Sequence, residues 1–92
     1  MIQSFKSAQT HELFTARKTK LWSSIQSVVL RKLDQMHAAT QLTDLRVPPG
    51  NKLEGLKKQR KGQHSIRINY QYRIFFVWKT DGPHDVEITD YH

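Results

Sequence analysis

The sequence predicts an α+β fold in which two N-terminal helices pack on one face of a curved, mainly antiparallel sheet of about four to five strands. Apolar residues recur at three- and four-residue spacings over residues 23–39, which is the period of a helix. Residues 64–69 alternate between apolar and polar, and residues 72–79 are apolar on both faces, as expected of strands. Clusters of Pro, Gly or Asp at 48–50 and 80–83 separate these segments as turns. The predicted order is β-α-α-β-β-β-β.

The chain begins with a predicted short strand and a short helix. Met1–Lys6 alternates loosely between apolar and polar residues and forms the strand. Thr10 is a residue type that caps helices, and it precedes a predicted helix over His11–Lys18.

The second predicted helix is the clearest element and runs from about Ser23 to Ala39. Ser23 or Ser24 caps its start, and Lys32 points away from the apolar stripe. Leu42 and Leu45 then pin a single turn to the core.

The second half of the chain is predicted to be a meander of four strands joined by turns. Tyr70–Gln71 forms a tight turn, and Lys57–Gly62 forms a basic loop. Neither half has enough apolar residues for its own core, so residues 1–92 form one domain. The four strands are predicted at Asn51–Leu56, His64–Asn69, Tyr72–Lys79 and Asp85–Tyr91.

Composition narrows the possible functions. The 92 residues carry 15 Lys and Arg against 8 Asp and Glu, a net charge of +7 that favours a polyanionic partner. The absence of cysteine excludes disulfides, zinc–thiolate sites and cysteine nucleophiles. The chain has neither a signal peptide nor an apolar run of roughly 20 residues that could span a bilayer. We therefore expect a cytoplasmic protein that does not bind membranes.

The positive charge is concentrated in the second half of the chain. Five basic residues lie within ten positions, and Arg67 and Arg73 follow on neighbouring strands. Because a cation in an apolar strand costs desolvation, Arg73 needs an anionic partner. Glu87 in a structural ion pair and a substrate phosphate are both open alternatives. The clustered residues are Lys52, Lys57, Lys58, Arg60 and Lys61.

Aromatic residues interleave with these charges, an arrangement that is typical of single-stranded RNA binding. Phe76 and Trp78 are assigned to the core, whereas Tyr70 and Tyr91 lie at strand ends and are free to contact a ligand. His92 is of a residue type whose ordinary pKa, near 6.5, suits proton transfer at neutral pH. The histidines lack the spacing of metal ligands, so we expect no metal site.

The run PPGNKLEGLKKQRKGQHSIRINYQYRIFFVW and the ending VEITDYH resemble the HigB toxins of the RelE superfamily. The resemblance covers nearly the whole chain. It implies a RelE-like fold and a type II toxin–antitoxin module. It also implies an endoribonuclease that cuts mRNA in the ribosomal A site by attack of the 2′-OH, without metal or other cofactor. The implied partners are a HigA-type helix-turn-helix antitoxin, the ribosome with its 16S rRNA, and mRNA; operator DNA is contacted only through the antitoxin.

The resemblance also assigns site residues by position. Some HigB proteins carry a histidine where this chain has Glu54, so either Glu54 assists or His92 and the lysines carry more of the proton transfer.

Two other hypotheses about function stay open: a non-catalytic RNA-binding module and a catalytically weakened toxin homologue. The implied catalytic residues are Lys57, Arg73, Asp90, Tyr91 and His92, and the expected RNA-binding residues are Lys58, Arg60, Lys61, Arg67, Asn69 and Tyr70.

Overall fold

A computed structural model describes residues 1–56 and 62–90. In this part of the chain, two helices pack against a four-stranded antiparallel sheet with strand order β1-β2-β3-β4. The predicted α+β class is confirmed. No helix among these residues is long and apolar enough to cross a membrane. The elements are α1 (Ala8–Ala16), α2 (Gln26–Ala38), 3-10 turns at Leu42–Arg46 and Pro49–Asn51, β1 (Glu54–Gly55), β2 (His64–Arg67), β3 (Tyr72–Lys79) and β4 (Gly82–Asp90).

The main core lies between the helices and one face of the sheet. Side chains of a strand alternate between faces, so Ile74 and Phe76 of β3 point to the same side. Ile66 and Ile88 lie opposite Ile74 on the flanking strands and extend the same apolar layer. All four belong to the buried cluster that α2 completes with Val29, Leu33 and Met36. The other face of the sheet carries polar and charged side chains beside the completely buried Phe75.

The N-terminal segment is not the predicted strand. It runs extended beside β4 and forms one parallel bridge, between Phe5 and Val86. Ser7, rather than Thr10, caps α1, and its Oγ accepts a hydrogen bond from the Thr10 amide at 3.2 Å. Thr10 is buried, and its own hydroxyl accepts a hydrogen bond from the Ile88 amide at 3.1 Å.

The start of α2 and the orientation of one of its lysines also differ from prediction. The cap position is Ile25, without a side-chain hydrogen bond, so neither Ser23 nor Ser24 caps the helix. Lys32 is buried, because its ammonium donates to the side-chain oxygen of Asn51. The predicted turn with Leu45 buried against the core is confirmed as a 3-10 turn.

Three of the predicted strands have other bounds. β1 keeps only two residues, since Pro49–Asn51 coils into a 3-10 turn. β2 ends at Arg67, so Asn69 falls in the connection to β3. β4 begins at Gly82, three residues earlier than predicted, and pairs there with Lys79. Tyr91, the predicted end of that strand, lies outside the described residues.

Candidate functional site

The candidate site occupies the face of the sheet that the helices leave uncovered. Arg67 pairs with Arg73 across β2 and β3, and Ser65 pairs with Phe75. Because paired residues point to the same side, these four side chains share this face. The neighbouring strands add two carboxylates: Glu54 lies opposite Ser65, and Glu87 lies opposite Phe75. We call this surface the arginine face.

Arg73 is nearly buried, with 8% of its surface exposed, and its guanidinium is fixed by the protein. Its Nε donates to Ser65 Oγ at 2.8 Å, and its Nη2 donates to the Lys52 carbonyl oxygen at 2.7 Å. The carboxylate of Glu54 lies 3.6 Å from Nη2. Glu87, which the sequence offered as a structural partner, has its carboxylate 4.0 Å from the ammonium of Lys6. Two uncharged oxygen atoms therefore accept hydrogen bonds from Arg73, and the Glu54 carboxylate lies at a longer distance.

Arg67 presents a second guanidinium beside the first. It is half-buried and lies directly across the ladder from Arg73. Within residues 1–56 and 62–90, no group hydrogen-bonds or ion-pairs with its side chain. Like charges directly opposite each other on a sheet are destabilising. An anion between the two guanidinium groups would remove that repulsion.

A buried polar network holds the backbone that supports Arg73. Asn51 is completely buried, and its Nδ2 donates to the Leu45 carbonyl and to Gln35 Oε1, each at 3.1 Å. Its Oδ1 accepts from the Lys32 ammonium. Burial lowers the pKa of Lys32, and the nearby charge of Arg31 adds to this effect. The next residue is Lys52, whose carbonyl accepts from Arg73, so this network sets the position of that carbonyl.

The connection between β2 and β3 lies at one end of the arginine face. Asn69 Oδ1 accepts from the backbone amides of Gln71 and Tyr72 at 2.8 and 2.7 Å, which closes the turn. Tyr70 at the tip is 78% exposed. Asp90, the last described residue of β4, accepts from Gln71 Nε2 at 3.1 Å. The side-chain oxygen of Asn69 thus serves the turn, while Tyr70 is open to a ligand.

The structure brings together only part of the predicted site. Arg67 and Arg73 lie side by side, and Tyr70 and Asp90 lie towards one end of β3. Sequence reasoning missed the roles of Ser65 and the Lys52 carbonyl, although the alternation of β2 already placed Ser65 on the side of Arg67. The other predicted residues fall outside the described residues: Lys57, Lys58, Arg60, Lys61, Tyr91 and His92.

In the described part of the chain, no three His, Cys, Asp or Glu side chains come together in a way that could hold a metal ion. What the site does hold is a pair of arginines that differ in how they are supported. Arg73 is held in place by its neighbours, whereas no described residue hydrogen-bonds or ion-pairs with the side chain of Arg67. This arrangement can bind and polarise an anionic group of the size of a phosphate.

Comparison with known proteins identifies the family of the chain. The model of the HigB-like toxin family, described as RelE-like toxins of the type II toxin–antitoxin system HigB, matches residues 3–92. The chain belongs to this family. This is the family that the sequence resembles.

Individual relatives of this HigB-like chain are similar over shorter segments. Toxin HigB-1 of Vibrio cholerae is 50% identical over 56 residues, 61% of this chain and 59% of that protein. An uncharacterized protein of Haemophilus influenzae is 38% identical over 63 residues, 68% of this chain and 62% of that protein. The matches thus span about three fifths of each curated relative.

A solved structure extends the likeness over the whole fold. A chain of the YoeB–YefM complex from Staphylococcus aureus superposes with a TM-score of 0.62 and covers 100% of this chain and 98% of its own length. Sequence identity is 17%, so this likeness concerns the fold. The HigB-like chain therefore has the RelE-like arrangement of two helices on an antiparallel sheet.

Proposed function

We propose that this HigB-like toxin is a ribosome-dependent endoribonuclease that cuts mRNA in the ribosomal A site and thereby stops translation. The observation that carries the proposal is the pair Arg67 and Arg73 on the face of the sheet opposite the helices, in a chain of this family. Two adjacent guanidinium groups repel each other unless an anion joins them. A phosphodiester of RNA supplies that anion.

The proposed reaction is an internal transfer of the phosphoryl group. The 2′-oxygen of the messenger bonds to the adjacent phosphorus and the bond from phosphorus to the 5′-oxygen breaks, leaving a 2′,3′-cyclic phosphate and a free 5′-OH. Arg73 stabilises the charge that builds on the phosphorane oxygens, because a fixed guanidinium matches their geometry. Lys57 neutralises the same phosphate, and Tyr91 holds or stacks the substrate.

Proton transfer is assigned to the C-terminal residues and, in part, to Glu54. Asp90 or His92 accepts the proton of the 2′-OH, or His92 protonates the leaving 5′-oxygen. Glu54 replaces the histidine that some relatives carry at its position. Its side chain is 48% exposed and its carboxylate lies 3.6 Å from Arg73, which leaves it within reach of a substrate bound to that arginine.

The remaining basic and aromatic residues are proposed to grip RNA. Arg67 contacts the phosphate backbone next to the scissile bond, and Tyr70 stacks an unpaired base. Asn69 supports this contact through the turn that presents Tyr70. The loop cations Lys58, Arg60 and Lys61 add contacts to the messenger and to 16S rRNA.

The proposed protein partner is a HigA-type helix-turn-helix antitoxin that neutralises the toxin. The support is the membership of the chain in a toxin–antitoxin family. Operator DNA would then be reached only through the antitoxin. Because the ribosome and its messenger are the proposed substrates, the activity belongs in the cytoplasm.

The test is to map mRNA 5′ ends after induction of the toxin in bacteria. Wild type should arrest growth and produce cuts in register with ribosomes, with cyclic phosphate on the upstream fragments. Arg73→Ala should lose both effects. Arg31→Ala is the matched control, because it removes the same charge from an exposed position on α2, away from the arginine face.

The alternatives give other results. If wild type arrests growth but leaves messengers intact, the chain is a non-catalytic RNA-binding protein. If neither growth nor mRNA changes although the antitoxin binds, the chain is a catalytically weakened homologue. Full cleavage by Arg73→Ala would contradict the site assigned to the arginine face.

A further inference from the structure

Ser65 is a buried polar residue that takes no part in the proposed reaction as described so far. It lies in β2 with no exposed surface and pairs with Phe75, which is also completely buried. Burying a hydroxyl group costs free energy unless it forms a hydrogen bond. Its oxygen accepts from Nε of Arg73 at 2.8 Å, so its contact with the proposed phosphate-binding group accounts for its burial.

The Ser65 hydroxyl and the Lys52 carbonyl together fix the plane of the Arg73 guanidinium. Nε and Nη2 lie along one edge of this flat group, and each donates to one of these two oxygens. One hydrogen bond would allow the plane to rotate about it, whereas two on the same edge hold the plane in one orientation. The edge is therefore anchored to β2 and to the residue that follows the Pro49–Asn51 turn.

The chemical nature of the two acceptors matters as much as their positions. A hydroxyl and a backbone carbonyl are neutral, so they orient the guanidinium without cancelling its charge. A carboxylate in the position of Ser65 would orient it equally well but would compete with a substrate phosphate. The carboxylate of Glu54 lies 3.6 Å from Arg73, farther than either neutral acceptor, and its side chain is about half exposed.

We propose that Ser65 is a positioning residue for the cleavage reaction, which acts through Arg73 and does not touch the substrate. This inference rests on the proposed function and adds to it how the catalytic arginine is aimed. Without the Ser65 oxygen, the guanidinium keeps its charge but loses its fixed plane. The phosphorane oxygens then receive poorly directed hydrogen bonds, while binding of the toxin to the ribosome is preserved.

The test is single-turnover cleavage of mRNA in programmed bacterial ribosomes, with the purified toxin in excess. Ser65→Ala removes the acceptor, and Ser65→Cys keeps its volume while replacing it with a weak one. Both should lower the rate at saturating toxin by roughly 10- to 100-fold, as expected for small misplacements of a catalytic group. The toxin concentration that gives half the maximal rate should stay close to that of wild type. Urea unfolding identifies the variant that retains the native fold.

A double-mutant cycle separates positioning from general support of the fold. Arg73→Lys has no Nε, so Ser65 has nothing to orient in that background. Adding Ser65→Ala to Arg73→Lys should therefore lower the rate much less than Ser65→Ala does alone. Equal losses in the two backgrounds would show that Ser65 only supports the fold, and would overturn the inference.

The two proposals fail in different ways. If wild type leaves the mRNA intact, the proposed function fails and this inference fails with it. If Arg73→Lys cleaves at the wild-type rate, the role assigned to Arg73 fails, and the inference about Ser65 fails with that role while the proposed function stands. If Arg73→Lys is defective but both Ser65 variants cleave at the wild-type rate, only the inference about Ser65 is overturned.

Discussion

Replacing Asn51 with alanine tests how much the buried network beneath the arginine face stabilises the chain. The substitution removes the acceptor of the Lys32 ammonium and the donor to the Leu45 carbonyl. A hydrogen bond to a charged group contributes about 1.5–3 kcal/mol, and a neutral one contributes about 1 kcal/mol. Because Asn51 is completely buried, water cannot reach the Lys32 ammonium and the Leu45 carbonyl to replace these hydrogen bonds. We expect Asn51→Ala to lower the free energy of unfolding by about 3 kcal/mol.

The assay is urea unfolding at neutral pH, with thermal unfolding beside it. A loss of this size lowers Tm by roughly 12–24 °C in a chain of this length. The control is the double variant Lys32→Met with Asn51→Ala, which removes both members of the charged hydrogen bond and should recover about half of the loss. A loss below about 1 kcal/mol for Asn51→Ala, or no recovery in the double variant, would refute the reasoning.

Three further predictions concern single positions. Gly82→Ala should lower the free energy of unfolding, measured in urea, by about 2 kcal/mol, because Gly82 has φ 123° and a Cβ would lie 2.5 Å from the Met1 carbonyl oxygen. The control is Gly50→Ala, whose Cβ meets nothing within 4 Å and which should leave the free energy of unfolding unchanged. Backbone amides that donate hydrogen bonds to Asp44 lower the pKa of its carboxyl group in the folded chain. The ionised carboxylate therefore stabilises the fold at pH values above the pKa of the unfolded chain. This stabilisation is lost as the pH falls through the lower pKa of the folded chain. Asp44→Asn should accordingly flatten the acid side of the plot of unfolding free energy against pH, and an unchanged slope would contradict this. Arg67→Gln should weaken mRNA cleavage and its salt dependence without lowering the free energy of unfolding, and a variant less stable than wild type would contradict the repulsion inferred at that position.

The fold could be predicted from sequence where burial has a clear period. The apolar stripe of α2 and the doubly buried β3 were both found in this way, since a helix and a central strand leave distinct patterns. Helix starts were predicted less well, because Ser7 and Thr10 are both suitable caps. The choice between them depends on the Ile88 amide, which donates a hydrogen bond to the Thr10 hydroxyl from 78 residues away in the chain.

The candidate site was predictable in its residue types but not in its geometry. Arg67 and Arg73 stood out as cations in apolar strands, but their direct pairing depends on the register that the β2–β3 connection sets. Lys32 was placed on the outside of α2 because charge usually means exposure. Its partner Asn51 comes 19 residues later, beyond a turn, so no local pattern reveals the contact.

The extended N-terminal segment has a consequence for self-association. A sheet edge with unpaired amides and carbonyls can add a strand from another molecule, which leads to aggregation. Along β4, Gln3 and Lys6 donate to Pro83 and Val86 and so occupy part of that edge. At the opposite edge, β1 has only two residues. Among the residues described, neither edge therefore offers a long row of unpaired backbone amides and carbonyls for strand addition. The sheet presents side chains, rather than backbone groups, to other molecules.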